Sequence, residues 1–279
     1  MSLSAVFAAA SPVTAQNAPV FAAQTGLVNV AVTVEDGQGR PLEGLTARDF
    51  VVEEDGRRQK IEMCARMGEG GNTSTSLDVA LLVDTSDSML ETLRRSQDVA
   101  VRFLSSLPNA QEIIVVFFDQ AQILEHFDRE HPEALFERVR TLPEGGNTAV
   151  RDAIAFSLKA LSASNGRSAL VLLTDGIDTV SATDPAALDR AVQSHAVTIY
   201  PVAYPASPDG DGPDPQAALK ELARLAQISG GRLFKLPSEA ALPGVLDEIA
   251  ADLRSQYVLG FTPDGSGAPG VVTANGTPA

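Results

Sequence analysis

The chain is poor in the residue types that most often carry covalent or soft-metal chemistry. Across 279 residues Cys64 is the one cysteine, so no disulfide closes within the chain and no cysteine-based zinc site can be assembled. A single cysteine also fixes no redox compartment. Histidine is nearly as scarce, with only His126, His131 and His195. Cations are outnumbered, 21 Lys and Arg against 36 Asp and Glu, for a net charge of −15. A field of that sign repels phosphate backbones and anionic lipid, which argues against nucleic acid and acidic membranes as partners. The ordinary cause of such a balance is a solvated acidic surface. No run reaches the ~18 to 20 apolar residues of a membrane-spanning helix. No Lys or Arg precedes Arg40. The opening MSLSAVFAAASPVTAQ therefore lacks the basic start of an export signal, although Val13-Thr14-Ala15 would suit cleavage before Gln16. Residues 1–20 read as the remnant of such a signal or as a disordered Ala-rich stretch. The expected location is exported, periplasmic or extracellular, with a cytoplasmic one as the alternative.

Motifs for several enzyme classes are missing too. There is no Gly-x-Ser-x-Gly elbow, and no histidine falls where a strand's carboxyl end is expected, which removes the base a serine hydrolase needs. No Gly-x-Gly-x-x-Gly or Walker loop opens a helix, so nucleotide binding lacks support. Asp209-Gly210-Asp211-Gly212-Pro213-Asp214 offers carboxylates but no spaced downstream Glu of an EF-hand loop, and reads as a solvated acidic loop.

What is present is ordinary globular material, 44% hydrophobic and 20% charged, enough for one large core with a smaller appendage. From Leu27, Val28, Val30, Val32 and Val34 alternate with Asn29, Ala31, Thr33 and Glu35, the period of a half-buried strand. Phe50–Glu53 and Gln59–Met63 flank Asp55-Gly56, a hairpin signal, so residues 21–66 are expected to form a small antiparallel β unit. Residues 67–76 are small and polar, a linker composition. Then strands alternate with helices: strand 78–83, a helix through Leu93–Leu107, strand 113–118, helices 132–140 and 148–163, strand 169–173, helix 185–194, strand 197–204, helix 216–228, strand 233–236 and helix 239–256. Runs apolar on both faces belong to a parallel sheet covered by helices. Gln122–Phe127 follows its predecessor too closely for a crossover and should be an antiparallel edge strand. The expected fold is a doubly wound, mostly parallel α/β sheet over 77–256, with a further strand at 257–262 and a disordered tail over 263–279.

In an open α/β sheet, ligands sit beyond the carboxyl ends of the strands where strand order reverses. The strand 78–83 runs into Asp84-Thr85-Ser86-Asp87-Ser88, and spacing two lets Asp84, Ser86 and Ser88 point the same way. Pro143-Glu144-Gly145-Gly146-Asn147-Thr148 opens a helix, its glycines permitting close backbone approach and Thr148 offering a hydroxyl. The strand 169–173 ends in Thr174-Asp175-Gly176, a second carboxylate at a carboxyl end. Asp178 follows as either a neighbour of the site or a turn cap.

Asp84, Ser86, Ser88, Thr148 and Asp175, in that order, resemble the metal-ion-dependent adhesion site of the von Willebrand factor type A family residue by residue. The resemblance spans about Leu77 to Gln256 and implies that the strands ending at Asp84 and Asp175 are neighbours. All-oxygen ligation suits Mg²⁺, with Mn²⁺ or Ca²⁺ as alternatives. It further implies that Ser86 and Ser88 ligate directly, that Asp84 and Asp175 act largely through bound waters, and that Thr148 joins on binding. Two carboxylates only neutralise the ion, which leaves it open to a carboxylate from a partner protein. The flanks, Gly44–Phe50 with Glu54-Asp55-Gly56 before and Leu253–Gly260 after, look like bacterial exported members in which β segments bracket the metal domain and pair into a small sandwich. This chain departs from that pattern in lacking further recognisable strands after Phe261. A haloacid-dehalogenase phosphotransferase also places an Asp after its first strand, but Ser86 stands where its second Asp would be. The expectation is a cation-dependent binding module recognising Asp or Glu on another protein, and not an enzyme. The alternative is an assembly subunit whose metal is mainly structural, with a hydrolase third; oligomeric state is left open.

Overall fold

The computed structural model describes residues 13–14, 20–22, 28–34, 36, 42–54, 56–66, 77–87, 89–107, 110–142, 146–161, 167–195, 197–205, 214–262 and 272–276. The small β part contains β1 (Val13–Thr14), β2 (Val20–Ala22), β3 (Val28–Val32), β4 (Phe50–Glu54), β5 (Arg57–Gln59) and β6 (Ile61–Arg66). The α/β part runs β7 (Leu77–Asp84), α1 (Leu90–Ser105), β8 (Ala110–Phe118), β9 (Gln122–His126), α2 (Glu133–Arg140), α3 (Val150–Leu161), β10 (Arg167–Thr174), α4 (Pro185–Ser194), β11 (Val197–Ala203), α5 (Pro215–Ile228), β12 (Phe234–Lys235) and α6 (Leu242–Ser255). The chain then returns to the β part through β13 (Tyr257–Phe261) and β14 (Val272–Gly276).

The six-stranded sheet has the order β12-β11-β10-β7-β8-β9. All pairs are parallel except β8–β9, so Gln122–His126 is the antiparallel edge the short connection required. Every residue of β7 and of β10 is buried. Their apolar runs serve two cores at once. Val79, Leu81, Val83, Val171 and Leu173 face Phe103, Leu104, Leu246 and Ile249 of α1 and α6, while Ala80, Leu82, Leu170 and Leu172 face Ile154, Leu158, Leu188 and Leu222 of α3, α4 and α5. Each fully buried Leu or Ile contributes roughly 1.5–3 kcal/mol, so the strand alternation fixes which helices lie on which face. From β7 the chain winds outward to β9, and from β10 it winds outward the other way to β12. The reversal falls between β7 and β10, where a ligand crevice opens in folds of this kind.

The β part is two four-stranded antiparallel sheets, β2-β3-β13-β6 and β1-β14-β4-β5. Val30, Val32, Val34, Tyr257, Leu259 and Phe261 from the first pack on Phe50 and Val52 from the second. Phe50 and Tyr257 rings sit 5.4 Å apart at 53°. The Tyr257 hydroxyl donates to Leu42 O and accepts from Leu45 N, both at 3.1 Å.

Several boundaries differ from the sequence reading, each for a local reason. The hairpin at Asp55-Gly56 forms, but β5 stops at Gln59 and the chain changes sheet at Lys60, so Ile61–Arg66 pairs with β13 instead. Helix 239–256 divides into a 3-10 turn, Glu239–Ala241, and α6, because Pro243 suits a first helical turn and has no N–H to continue an earlier one. The disorder expected over 263–279 does not hold at Val272–Gly276, where β14 pairs with β4 through Val272↔Glu54 to Gly276↔Phe50. Likewise Val13–Thr14, inside the stretch read as a signal remnant or disordered, pairs with β14, and Val20 begins β2. Backbone pairing overrides a Gly- and Ala-rich composition once a neighbouring strand offers its edge. The linker 67–76 lies outside the described residues, as do Asp209 and Asp211. Asp214 caps α5, its carboxylate accepting from Gln216 N at 2.9 Å. Among the described residues no helix is long and apolar enough to cross a membrane.

Candidate metal centre

Asp84 and Thr174 are the last residues of adjacent strands, with Val83 opposite Leu173 in register. The Thr174 hydroxyl therefore reaches across and donates to Asp84 Oδ2 at 2.5 Å, and it accepts from Gly176 N at 2.9 Å. Ser86 N donates to the other oxygen, Asp84 Oδ1, at 3.0 Å. Thr85 holds this loop down by donating through both N and Oγ1 to Phe118 O at the end of β8, at 2.8 and 3.0 Å. Asp84, Ser86, Thr148 and Asp175 are all buried, Asp84 completely. Burial pushes the Asp84 carboxyl up from 3.8 to about 6, the negative charge of Asp175 adds to the rise, and the Thr174 and Ser86 hydrogen bonds only partly oppose it.

The second loop follows β10. Asp175 Oδ1 accepts from Ile177 N at 3.0 Å, which turns the chain sharply. Gly176 takes φ +83°, a backbone conformation that calls for glycine, and a Cβ there would also press on Leu222 Cδ1 at 2.9 Å. The third loop is the approach to α3. Thr148 N donates to Thr179 Oγ1 at 2.8 Å, and Thr148 O accepts from Thr179 N at 2.8 Å, so the residues before α3 are bonded to the loop carrying Asp175. Ala149 N donates to Asp119 O, tying the same residues to the β8–β9 turn. These outward bonds explain why the helix starts at Val150 and not at Thr148.

The structure thus brings Asp84, Ser86 and Asp175 together at the strand reversal and bonds Thr148 to the same loop system; Ser88 lies outside the described residues. Thr174, the residue that joins Asp84 to the second loop, escaped the sequence reading, although a hydroxyl between the strand 169–173 and Asp175 was a signal for it. Thr179 and Asp152 escaped as well. Asp178 acts as a cap, accepting from Arg151 N at 2.9 Å and from Ser181 N and Oγ at 3.0 and 2.6 Å. Of the histidines, His126 pairs with Glu112 and His131 with Glu133, both exposed, and His195 Nδ1 lies 2.7 Å from Ala191 O at the end of α4.

This donor set suits a hard divalent cation. A completely buried carboxylate beside a second one, with hydroxyls around them, is the electrostatic demand such an ion meets. Among the described residues no three His, Cys, Asp or Glu gather as a metal cluster.

The sequence profile of the von Willebrand factor type A domain matches residues 78–248. The chain belongs to the von Willebrand factor type A family. No curated protein matches it in sequence. Among solved structures it is similar to the pilus adhesin SpaC from Lactobacillus rhamnosus GG in its open conformation, with 11% identity over 93% of this chain and 41% of that one and a TM-score of 0.53. A von Willebrand factor type A protein from Catenulispora acidiphila is 19% identical over 86% of this chain and 51% of its own, with a TM-score of 0.50. BatB from Bacteroides thetaiotaomicron is 15% identical over 63% of this chain and 98% of its own, with a TM-score of 0.47. At these identities the likeness to SpaC and to the Catenulispora protein is one of fold. The family membership and the doubly wound sheet are as the sequence motifs implied, and the strand reversal that the family fold creates is where Asp84 and Asp175 meet.

Proposed function

We propose that this chain is a divalent-metal-dependent protein-binding module that captures an acidic side chain of a partner. The observation that carries the reading is the completely buried Asp84, held by Ser86 and Thr174 beside Asp175 at the strand reversal. Asp84, Ser86, Ser88, Thr148 and Asp175 would hold Mg²⁺, or Mn²⁺ or Ca²⁺ in its place. Bound there, the ion supplies an electrophilic centre for an incoming carboxylate. The chain's own residues do the rest. Two carboxylates supply charge without overcompensating, hydroxyls add oxygens without adding charge, and the hydrogen-bonded loops hold those oxygens in place before a partner arrives. Nothing in the arrangement is asked to move a proton or break a bond. An exported location belongs to the same proposal and is supported by the similarity in fold to the pilus adhesin SpaC.

The test is a melting experiment followed by a binding experiment. Mg²⁺ or Mn²⁺ is expected to raise the melting temperature of the full chain over that in EDTA, since a ligand of the folded state alone stabilises it by mass action. Asp84→Ala should abolish the rise. A partner captured in Mg²⁺ should be released by EDTA and recaptured when the ion is restored, and Thr148→Ala should weaken the partner more than the ion. A wild-type chain whose melting is indifferent to saturating metal would overturn the reading. Equal losses of ion and partner in every site variant would favour an assembly subunit with a structural ion.

A further inference from the structure

The loop from Asp175 to Asp184 is not held by a packed core alone. Behind it lies a small hollow open to solvent, bordered by Val150, Arg151, Gly176, Asp178, Glu221 and Leu222. Across this hollow one side chain makes the connections. Arg151 Nε donates to Thr183 O at 2.9 Å, Nη2 stands 3.5 Å from Asp178 Oδ1, and Nη1 stands 3.7 Å from Glu221 Oε2 on α5. The backbone N of the same residue donates to Asp178 Oδ2 at 2.9 Å. One guanidinium therefore joins α3, the loop and α5.

Its place in sequence gives this consequence for the metal centre. Arg151 is three residues beyond Thr148, and Asp178 is three residues beyond Asp175, so the Arg151–Asp178 pair bolts together the two segments that carry those oxygens. The neighbouring bonds repeat the pattern. Asp152 accepts from Ala182 N and Thr183 N at 2.9 and 2.8 Å, and its own N donates to Ser181 Oγ at 3.2 Å. The Asp178 side chain is only 8% exposed, so without the guanidinium its charge would be left with backbone and hydroxyl donors alone. Arg can hold three acceptors at once because its donors form a rigid planar fork, which a shorter or single-headed cation lacks.

We propose that Arg151 is a positioning residue for the metal centre, setting the separation of Thr148 and Asp175 through Asp178, Thr183 and Glu221 without touching the ion. The inference rests on the metal reading given above. It makes a centre whose loops are fixed before the ion arrives, so loss of the guanidinium should appear in metal affinity and not only in stability.

The experiment is calorimetric titration of MgCl₂ into the full chain, with folded content followed by circular dichroism. Arg151→Met keeps the apolar stem and removes the fork; its Mg²⁺ Kd should weaken about tenfold, the low end for groups that orient metal ligands from outside, because the guanidinium is partly solvated. Arg138→Leu is the control: it breaks an ion pair to Glu125 between α2 and β9 away from the loop, and should lower the melting temperature while leaving Kd within about twofold. If Arg151→Met does not fold, Glu221→Gln removes the α5 anchor alone, with an expected weakening of about threefold. A folded Arg151→Met with wild-type Kd overturns the positioning role and leaves the metal reading standing. Equal weakening in Arg138→Leu also overturns it, since the effect would then be general loosening. A wild-type chain that takes no Mg²⁺ overturns the metal reading and this inference together.

Discussion

Asp84 makes a prediction in which stability and binding move in opposite directions. Its carboxyl is completely buried, and that burial, aided by Asp175, lifts it from 3.8 to about 6. At about 1.4 kcal/mol per pH unit, keeping it ionised near neutrality costs the metal-free fold about 3 kcal/mol. Asp84→Asn removes that charge at nearly constant volume. The amide oxygen can still accept from Ser86 N, and the amide nitrogen can donate to Thr174 Oγ1, whose own hydrogen then loses its acceptor at a cost of about 1 kcal/mol. The metal-free variant should therefore be more stable than wild type by about 2 kcal/mol, a rise of roughly 4–8 °C in scanning calorimetry for a domain of this size. In saturating Mg²⁺ the order should reverse, because only wild type gains from the ion. The pH dependence has a definite sign. Between about pH 4 and 6 the folded, metal-free chain keeps a proton on Asp84 that the unfolded chain has released. Wild-type stability relative to Asp84→Asn thus falls as pH rises through that window, and the deficit is fully present above it. An Asp84→Asn chain that melts below wild type in EDTA would refute the argument, since the buried carboxylate would then be a net stabiliser without any ion.

Three further substitutions probe the frame around the site. Gly231→Ala would place a Cβ 1.9 Å from Ile199 O, a backbone atom that no rotamer change can clear; the cost should be about 3 kcal/mol or more in urea unfolding, and a near-neutral result would mean the turn after α5 does not sit against Ile199 of β11. Tyr257→Phe deletes the hydroxyl that serves both Leu42 O and Leu45 N, so the urea midpoint should fall by the equivalent of about 1–2 kcal/mol; an unchanged midpoint would show those bonds to be matched by water. Asp214→Ala should cost about 1 kcal/mol through the lost helix cap while leaving Mg²⁺ affinity intact, and a drop in that affinity would bring the acidic loop into the metal site.

The parts of the fold that were legible in the sequence are those where one residue pattern has one physical solution. Leu77–Asp84 and Arg167–Thr174 are apolar on both faces, and only a strand covered on both sides uses such a run. Gln122–His126 was fixed by the shortness of its connection. Asp84, Ser86, Thr148 and Asp175 stood out because oxygen side chains at loop ends have a characteristic spacing. What was not legible depends on partners far away in sequence. Whether Ile61–Arg66 stays beside β4 or leaves at Lys60 is decided by Tyr257–Phe261, nearly two hundred residues on. Val272–Gly276 is a strand because β4 offers an edge, not because Val-Thr-Ala-Asn-Gly favours one. Thr174 and Arg151 act through hydrogen bonds across the loops, as does the cap at Asp178 that the sequence suggested, and no periodicity records those bonds.

The register of the β part also decides how the molecule bears a load. Val28 lies opposite Phe261 and Val32 opposite Tyr257, so the chain enters β3 and leaves β13 at the same end of the pair. Val13 opposite Gly276 repeats the arrangement in the second sheet. Tension drawn between the two flanks would not shear these strands past one another. It would peel them, one residue pair at a time, from the Val28–Phe261 end. The α/β part joins β6 and β13 at the other end, where Arg66 and Tyr257 pair and open last. A pull would then spend itself first in the sandwich, and the oxygens at the ends of β7 and β10 would keep their spacing while it did.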